Sequence, residues 1–382
     1  MHRDGLERGG LSTCGRDRMS GATRAVTRSQ SVGHGRVAAV FSLVVLTACQ
    51  ARPPGFDAVS GISADIQQQR AFTCTHESAR IPPRDPEAEQ LYKHARWLAR
   101  QNILKEDPAA YPPIERLLRI ATALGHDRAN IELRDMLDKG QVQSADPGRE
   151  RMDLVQDLID RGIPAGYYDM GWYLENGFGV KRDVELAFRY YRKAADLGSP
   201  EGQYLVGDRL SDMSKNGKAI ASIGWAMYRC AADQLHSDAA LEFAIHQRSS
   251  GAPADGFKYF QAAASAGEAM AASSLADAFS IKDHADPIWG LGMAPDPARE
   301  ARYKRITEFL SAYSYLNPKV PEINEIVPPP PAKLPAWDGK FKWQEEHVAN
   351  IPPPLPSEAR IEKMARSKGL DSKSGRRLKP VV

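Results

Sequence analysis

Residues 165–198 read AGYYDMGWYLENGFGVKRDVELAFRYYRKAADLG, and this stretch decides the fold. A polar turn, Glu175-Asn176-Gly177-Phe178-Gly179-Val180, separates two segments that read as helices, and the second closes on Ala194-Ala195 before Gly198. The same ending, a small-residue helix end followed by Gly or a polar turn, recurs along the chain. It stands at Ala121-Thr122-Ala123-Leu124-Gly125, at Leu158-Ile159-Asp160-Arg161-Gly162 and at Ala194-Ala195-Asp196-Leu197-Gly198. Weaker copies are Cys230-Ala231-Ala232-Asp233-Gln234-Leu235-His236 and Ala263-Ala264-Ser265-Ala266-Gly267. Gly125, Gly162 and Gly198 lie 37 and 36 residues apart, and Gly267 follows 69 residues later, about two units on. A fixed period in this range marks a solenoid of helix pairs.

The residues fit that reading physically. Gly just past a helix end takes the left-handed conformation cheaply. Paired alanines let neighbouring helices approach, while Tyr190, Tyr191, Trp225, Tyr228, Tyr259 and Phe260 fill the gaps between them. Ile163-Pro164 and Ser199-Pro200 sit where one unit passes to the next. The expectation is an all-α protein, an α/α superhelical solenoid spanning 87–285. Unit 165–198 closely resembles the Sel1-like repeat, a relative of the tetratricopeptide (TPR) repeat. The other units are degenerate. Residues 238–267 keep Ala239-Ala240, Phe257, Tyr259-Phe260 and the run from Ala262 to Gly267. Residues 201–235 carry Ser214-Lys215-Asn216-Gly217 in place of a Gly-x-Gly turn.

A segment at 286–370 follows, opened by a capping helix over about 298–314, and then a tail, 371–382, read as disordered. Residues 317–356 hold 11 of the chain's 27 prolines, a density that argues against regular helix and for a largely extended, polyproline-like run. Ile323, Ile326, Val327, Leu334, Trp337, Phe341 and Trp343 give that run apolar anchors. With the degenerate repeats, this end resembles a group of proteobacterial Sel1-like proteins that finish in a domain of unknown function (DUF6396-like). The group includes lipoproteins encoded beside secreted phospholipase effectors and related to type VI secretion immunity proteins. The resemblance implies an immunity role.

The first 48 residues read as targeting. A basic stretch with Arg24, Arg28 and Arg36 runs into an apolar segment, Val37 to Leu46, and then Thr47-Ala48-Cys49. The apolar segment is too short to span a membrane. Leu46-Thr47-Ala48-Cys49 looks like a lipobox, which implies cleavage before Cys49 and its diacylation; Met19 is a second candidate start. Gln50 in place of Asp, by likeness to lipoprotein sorting rules, implies the periplasmic side of the outer membrane. Residues 49–86 read as a tether. Segment 1–48 holds seven Arg and three acids, so of 51 basic and 48 acidic residues 44 and 45 remain beyond it. That balance carries no basic patch for nucleic acid and leaves both acidic and basic partners open.

Cys74 and Cys230 remain beyond the lipobox. In an oxidising compartment they form either one disulfide or two buried thiols. No His-Glu-x-x-His or Cys-x-x-Cys occurs, so no metal or cofactor is expected. No Gly-x-Ser-x-Gly elbow occurs either. Gly177-Phe178-Gly179 follows a helix and reads as the turn inside a repeat, not as a phosphate loop. His126 and His236 follow helix ends at matching points of two repeats and read as polar helix-end residues. Trp337, Phe341 and Trp343 read first as anchors docking the Pro-rich run onto the array, and second as partner contacts. Trp172 and Tyr173 read first as core, and second as lining for a partner.

No catalytic grouping, a lipid tether and a repeat array together point to a non-enzymatic, protein-binding periplasmic lipoprotein. Its sharper form is an immunity protein that sterically blocks a toxic enzyme of phospholipase type. An envelope scaffold for cell-wall or secretion machinery is the alternative, and a hydrolase the remotest reading.

Overall fold

The computed structural model describes residues 71–280 and 290–378. Cys49, Met19 and the targeting segment lie outside the described residues. Among those described there is no β-strand, only an isolated bridge between Leu370 and Arg377.

Twelve helices form six consecutive pairs. They are α1 (Pro86–Asn102) with α2 (Tyr111–Ala123), α3 (Asp127–Asp138) with α4 (Pro147–Asp160), and α5 (Pro164–Asn176) with α6 (Val184–Leu197). Then come α7 (Pro200–Ser211) with α8 (Met213–Asp233), α9 (Ser237–Ser249) with α10 (Pro253–Ser265), and α11 (Ala269–Ser280) with α12 (Pro297–Ala312). Each helix packs chiefly on its neighbours in sequence, as a solenoid requires.

Local chemistry sets the boundaries. Asp85, Asp146, Ser199 and Asp296 each cap a helix through a side-chain oxygen that accepts backbone N–H groups, with Pro next in line. Proline at that position lacks only an N–H that would have had no helical partner. At the other end Gly125, Gly162, Gly198 and Gly267 all have positive φ. The fifth equivalent position is occupied by Leu235, at φ +64° and largely exposed. Where successive pairs meet, backbones touch. A Cβ on Gly166 would lie 2.6 Å from Leu158 Cβ and 2.9 Å from Ile159 N.

The core is three successive clusters. Val155, Tyr167, Tyr173, Tyr190 and Tyr191 belong to the middle one, from α4 to α8. The other two are completed from the far end of the chain. Val320, Ile323, Val327 and Phe341 join the cluster of α8–α12. Ile361, Met364, Ala365 and Leu370 join the cluster of α1–α3. The C-terminal segment therefore links the last helix pairs to the first. Its turn at Tyr315–Asn317 shares a cavity of about 480 Å³ with Arg96, Ile103 and Glu132 of the opening helices.

Four expectations need correction. The array does not stop at 285, because α12 pairs with α11 as the second helix of a sixth unit. The Pro-rich stretch is largely extended, as expected, but it is not free of helix. α13 (Ile323–Ile326) and α14 (Lys342–Ala349) form where the prolines leave gaps, and α15 (Glu358–Ser367) follows. Residues 371–378 are not a disordered tail. Arg376 pairs with Glu115 at 2.9 and 3.0 Å, and Gly375 lies directly on the backbone of Arg116 in α2. Finally, residues 71–85 are a strap rather than a loose tether. Gln203 Nε2 donates to Thr75 O at 2.8 Å, Glu77 N donates to Gln234 Oε1 at 2.7 Å, and Arg84 holds Asp127 through two hydrogen bonds. The strap thus crosses the α6–α7, α8–α9 and α2–α3 corners.

Candidate partner-binding surfaces

Cys74 on the strap and Cys230 on α8 are joined by a disulfide, their Cα atoms 5.6 Å apart. His76 lies close enough to make a three-ligand set with the two sulfurs, but the bridge leaves no thiolate to bind an ion.

The aromatics of the C-terminal segment dock on α12. Phe341 is fully buried and stacks on Phe309, ring centres 4.1 Å apart. Trp337 meets Phe341 edge-on at 5.4 Å, and its Nε1 donates to Lys340 O. Trp343 sits edge-on to Phe309 and Tyr313 and stacks on His347. Phe341 is therefore not available to a partner, and neither is Tyr173, which is 3% exposed inside the middle cluster. Both fill gaps that the helix spacing leaves. Trp172 differs: it is 43% exposed, edge-on to Tyr173 and Phe178. Arg151 caps the same patch, its guanidinium carbon 4.1 Å from the Phe178 ring centre.

His126 and His236 are helix N-caps. Ala129 N donates to His126 Nδ1 at 3.0 Å, and Ala239 N to His236 Nδ1 at 3.3 Å. Each ring also packs on a tyrosine, Tyr92 and Tyr204. Burial pushes both imidazoles below their usual pKa, against the pull of Glu89 on one and of Glu201 and Asp238 on the other. The cap needs a bare Nδ1, so His126 places its proton on Nε2 and donates it to Glu89 at 2.9 Å.

Sequence reading missed a surface on α7, α8 and α9. Tyr204 meets Tyr228 edge-on at 5.6 Å, Tyr228 stacks on Trp225 at 5.1 Å, and Trp225 stacks on His246 at 3.7 Å. Carboxylates flank this ladder. Tyr228 donates its hydroxyl to Asp208 at 3.2 Å. Burial, then Asp208 and Asp238, raise the pKa of Glu242. Asp208, Asp238 and Glu242 are exposed, and among the described residues none of them forms an ion pair. Spacing carried a faint signal, since Glu201, Tyr204 and Asp208 lie on one face of a helix, as do Asp238, Glu242 and His246. Which two faces adjoin depends on the pairing of helices, and that is not written locally.

Residues 164–199 and 253–268 match the model of the Sel1 repeat. Residues 271–378, from α11 onward, match a domain of unknown function, DUF6396, and the matched stretch takes in the last helix pair of the array as well as the Pro-rich segment. Two solved structures from Pseudomonas aeruginosa are similar over most of this chain. The immunity protein Pa5087 is 26% identical, with 68% of this chain and 95% of that one covered and a TM-score of 0.50. The immunity protein PA5088 is 25% identical, with 69% and 95% covered and a TM-score of 0.51. No curated protein matches.

Proposed function

We propose that this chain is a lipid-anchored periplasmic immunity protein that binds and sterically blocks a toxic secreted enzyme. The observation that carries the reading is its similarity to two immunity proteins across 95% of each solved chain. A blocker of this kind needs a stiff, extended surface and no catalytic group, and stacked helix pairs supply such a surface. A phospholipase is the target favoured by the sequence resemblance, and acylation of Cys49 would hold the blocker at the membrane where such an enzyme acts.

Co-expression with the enzyme encoded beside this chain tests the reading. Protection of the cells, and co-elution of the two proteins on gel filtration, are expected. Unprotected cells and separate elution would overturn it. Cys49→Ala should leave the folded protein in the soluble periplasmic fraction, and persistent membrane attachment would contradict the anchor.

A further inference from the structure

Tyr204 and Trp225, with Tyr228 buried between them, form the one aromatic surface described above that is bordered by several carboxylates without ion-pair partners. Three observations say what it takes. First, Asp208, Asp238 and Glu242 come from two different helices, and Glu242, its pKa raised by burial and then by Asp208 and Asp238, lies within reach of both like charges. Second, Tyr204 and Trp225 are half-buried beside those charges, and a carboxylate beside an aromatic ring suits a guanidinium or an ammonium. Third, the molecule already places a cation at the edge of this surface. Lys319, from the C-terminal segment, donates its Nζ to Ala266 O and lies within electrostatic reach of Asp238, Glu268 and His236. Its own pKa is lowered by burial, against the pull of Asp238 and Glu268. The chain's own lysine thus serves the Asp238 end, and the Asp208–Glu242 end is open.

We propose that the Tyr204–Trp225 ladder with Asp208 and Glu242 is a docking surface for a basic segment of a protein partner, receiving an arginine or lysine side chain. The proposal rests on the reading of the chain as a protein binder and adds where it binds and the partner's charge. Complementarity here acts chiefly on encounter rate and register, so binding should weaken steeply with salt.

The test uses the full chain without its acyl group and an acetylated, amidated hexa-arginine peptide, read by tryptophan fluorescence at low salt. A saturable change is expected, lost in Trp225→Phe and weakened about tenfold in Asp208→Asn/Glu242→Gln. Both carboxylates are exposed, so the amides leave the packing intact. Glu185→Gln/Glu308→Gln, which removes two exposed acids on α6 and α12, should bind like the parent. Equal weakening by the two pairs of substitutions, no weakening by Asp208→Asn/Glu242→Gln, or no saturable change at all would each overturn the surface. Co-expression with the neighbouring enzyme separates the two readings. If the parent chain protects and the Asp208→Asn/Glu242→Gln chain protects equally well, the surface falls and the function stands. If the parent does not protect, the function falls, and the peptide pattern alone decides the surface.

Discussion

At the scale of the residue, four side chains sit against their own preferences. Leu235 occupies a left-handed conformation that four equivalent positions give to Gly. That conformation costs an L-residue about 1–2 kcal/mol, and the exposed side chain recovers little of it. Leu235→Gly should therefore raise the unfolding midpoint, by up to about 1 kcal/mol once the added freedom of the unfolded chain is counted; a lower midpoint in urea would refute this. Glu77, buried on the strap, has its carboxyl pushed up to about 7, by burial first, with Arg128 opposing and Glu201 and Asp127 adding. A raised carboxyl contributes stability at low pH and loses it as pH climbs through the folded value. Glu77→Gln should thus stabilise at pH 8, on the order of 1–2 kcal/mol, and change little at pH 5. The capping histidines have the opposite sign. Their folded pKa is depressed, so their contribution is present above about 6.5 and fades as pH falls below it. His126→Asn/His236→Asn keeps cap-competent side chains and should flatten the loss of stability between pH 7 and 5. An unchanged slope in thermal melts across that range would count against the caps as its source.

At the scale of the element, the order of helices was legible because start and stop signals are local. Asp-Pro and Ser-Pro openings, closing glycines and the 36-residue period all lie within a few residues of what they determine. The strap and α15 were not legible, because their partners are far away in sequence. Arg360 pairs with Glu87 across 273 positions, and Arg116 with Glu358 across 242. Exposed pairs of this kind are worth about 0–1 kcal/mol each, so they set register rather than hold the helix. Burial of Ile361, Met364 and Leu370, roughly 1.5–3 kcal/mol apiece by area, is what docks α15. The aromatic ladder was missed for a related reason: each helix shows its own stripe, but not the stripe beside it. Between elements, Gly166 lets α5 rest on α4. Gly166→Ala forces a Cβ against backbone and should cost about 1–3 kcal/mol, as overpacking does. Circular dichroism melts would check it, and a neutral result would mean the helices can slide apart there.

At the scale of the whole molecule, the chain closes on itself twice. The disulfide spans 156 positions and fastens the strap to α8, and the C-terminal segment fastens α12 to α1 and α2. Replacing both cysteines by Ala should cost about 2–5 kcal/mol in denaturant midpoint, since the bridge restrains a long loop of the unfolded chain. Truncation after Asn350 should speed amide exchange in α1–α3 while α9–α12 stay protected, because only the first cluster borrows apolar side chains from beyond that point; uniform acceleration would argue against local docking. An open solenoid gains stability one repeat at a time and can flex along its axis like a spring. This one is a hoop. Stretching or twisting it requires breaking a covalent bond or undocking a helix, so it meets a partner with its curvature already set. Little conformational entropy is then left to lose on binding, and tightness follows from rigidity more than from the number of contacts.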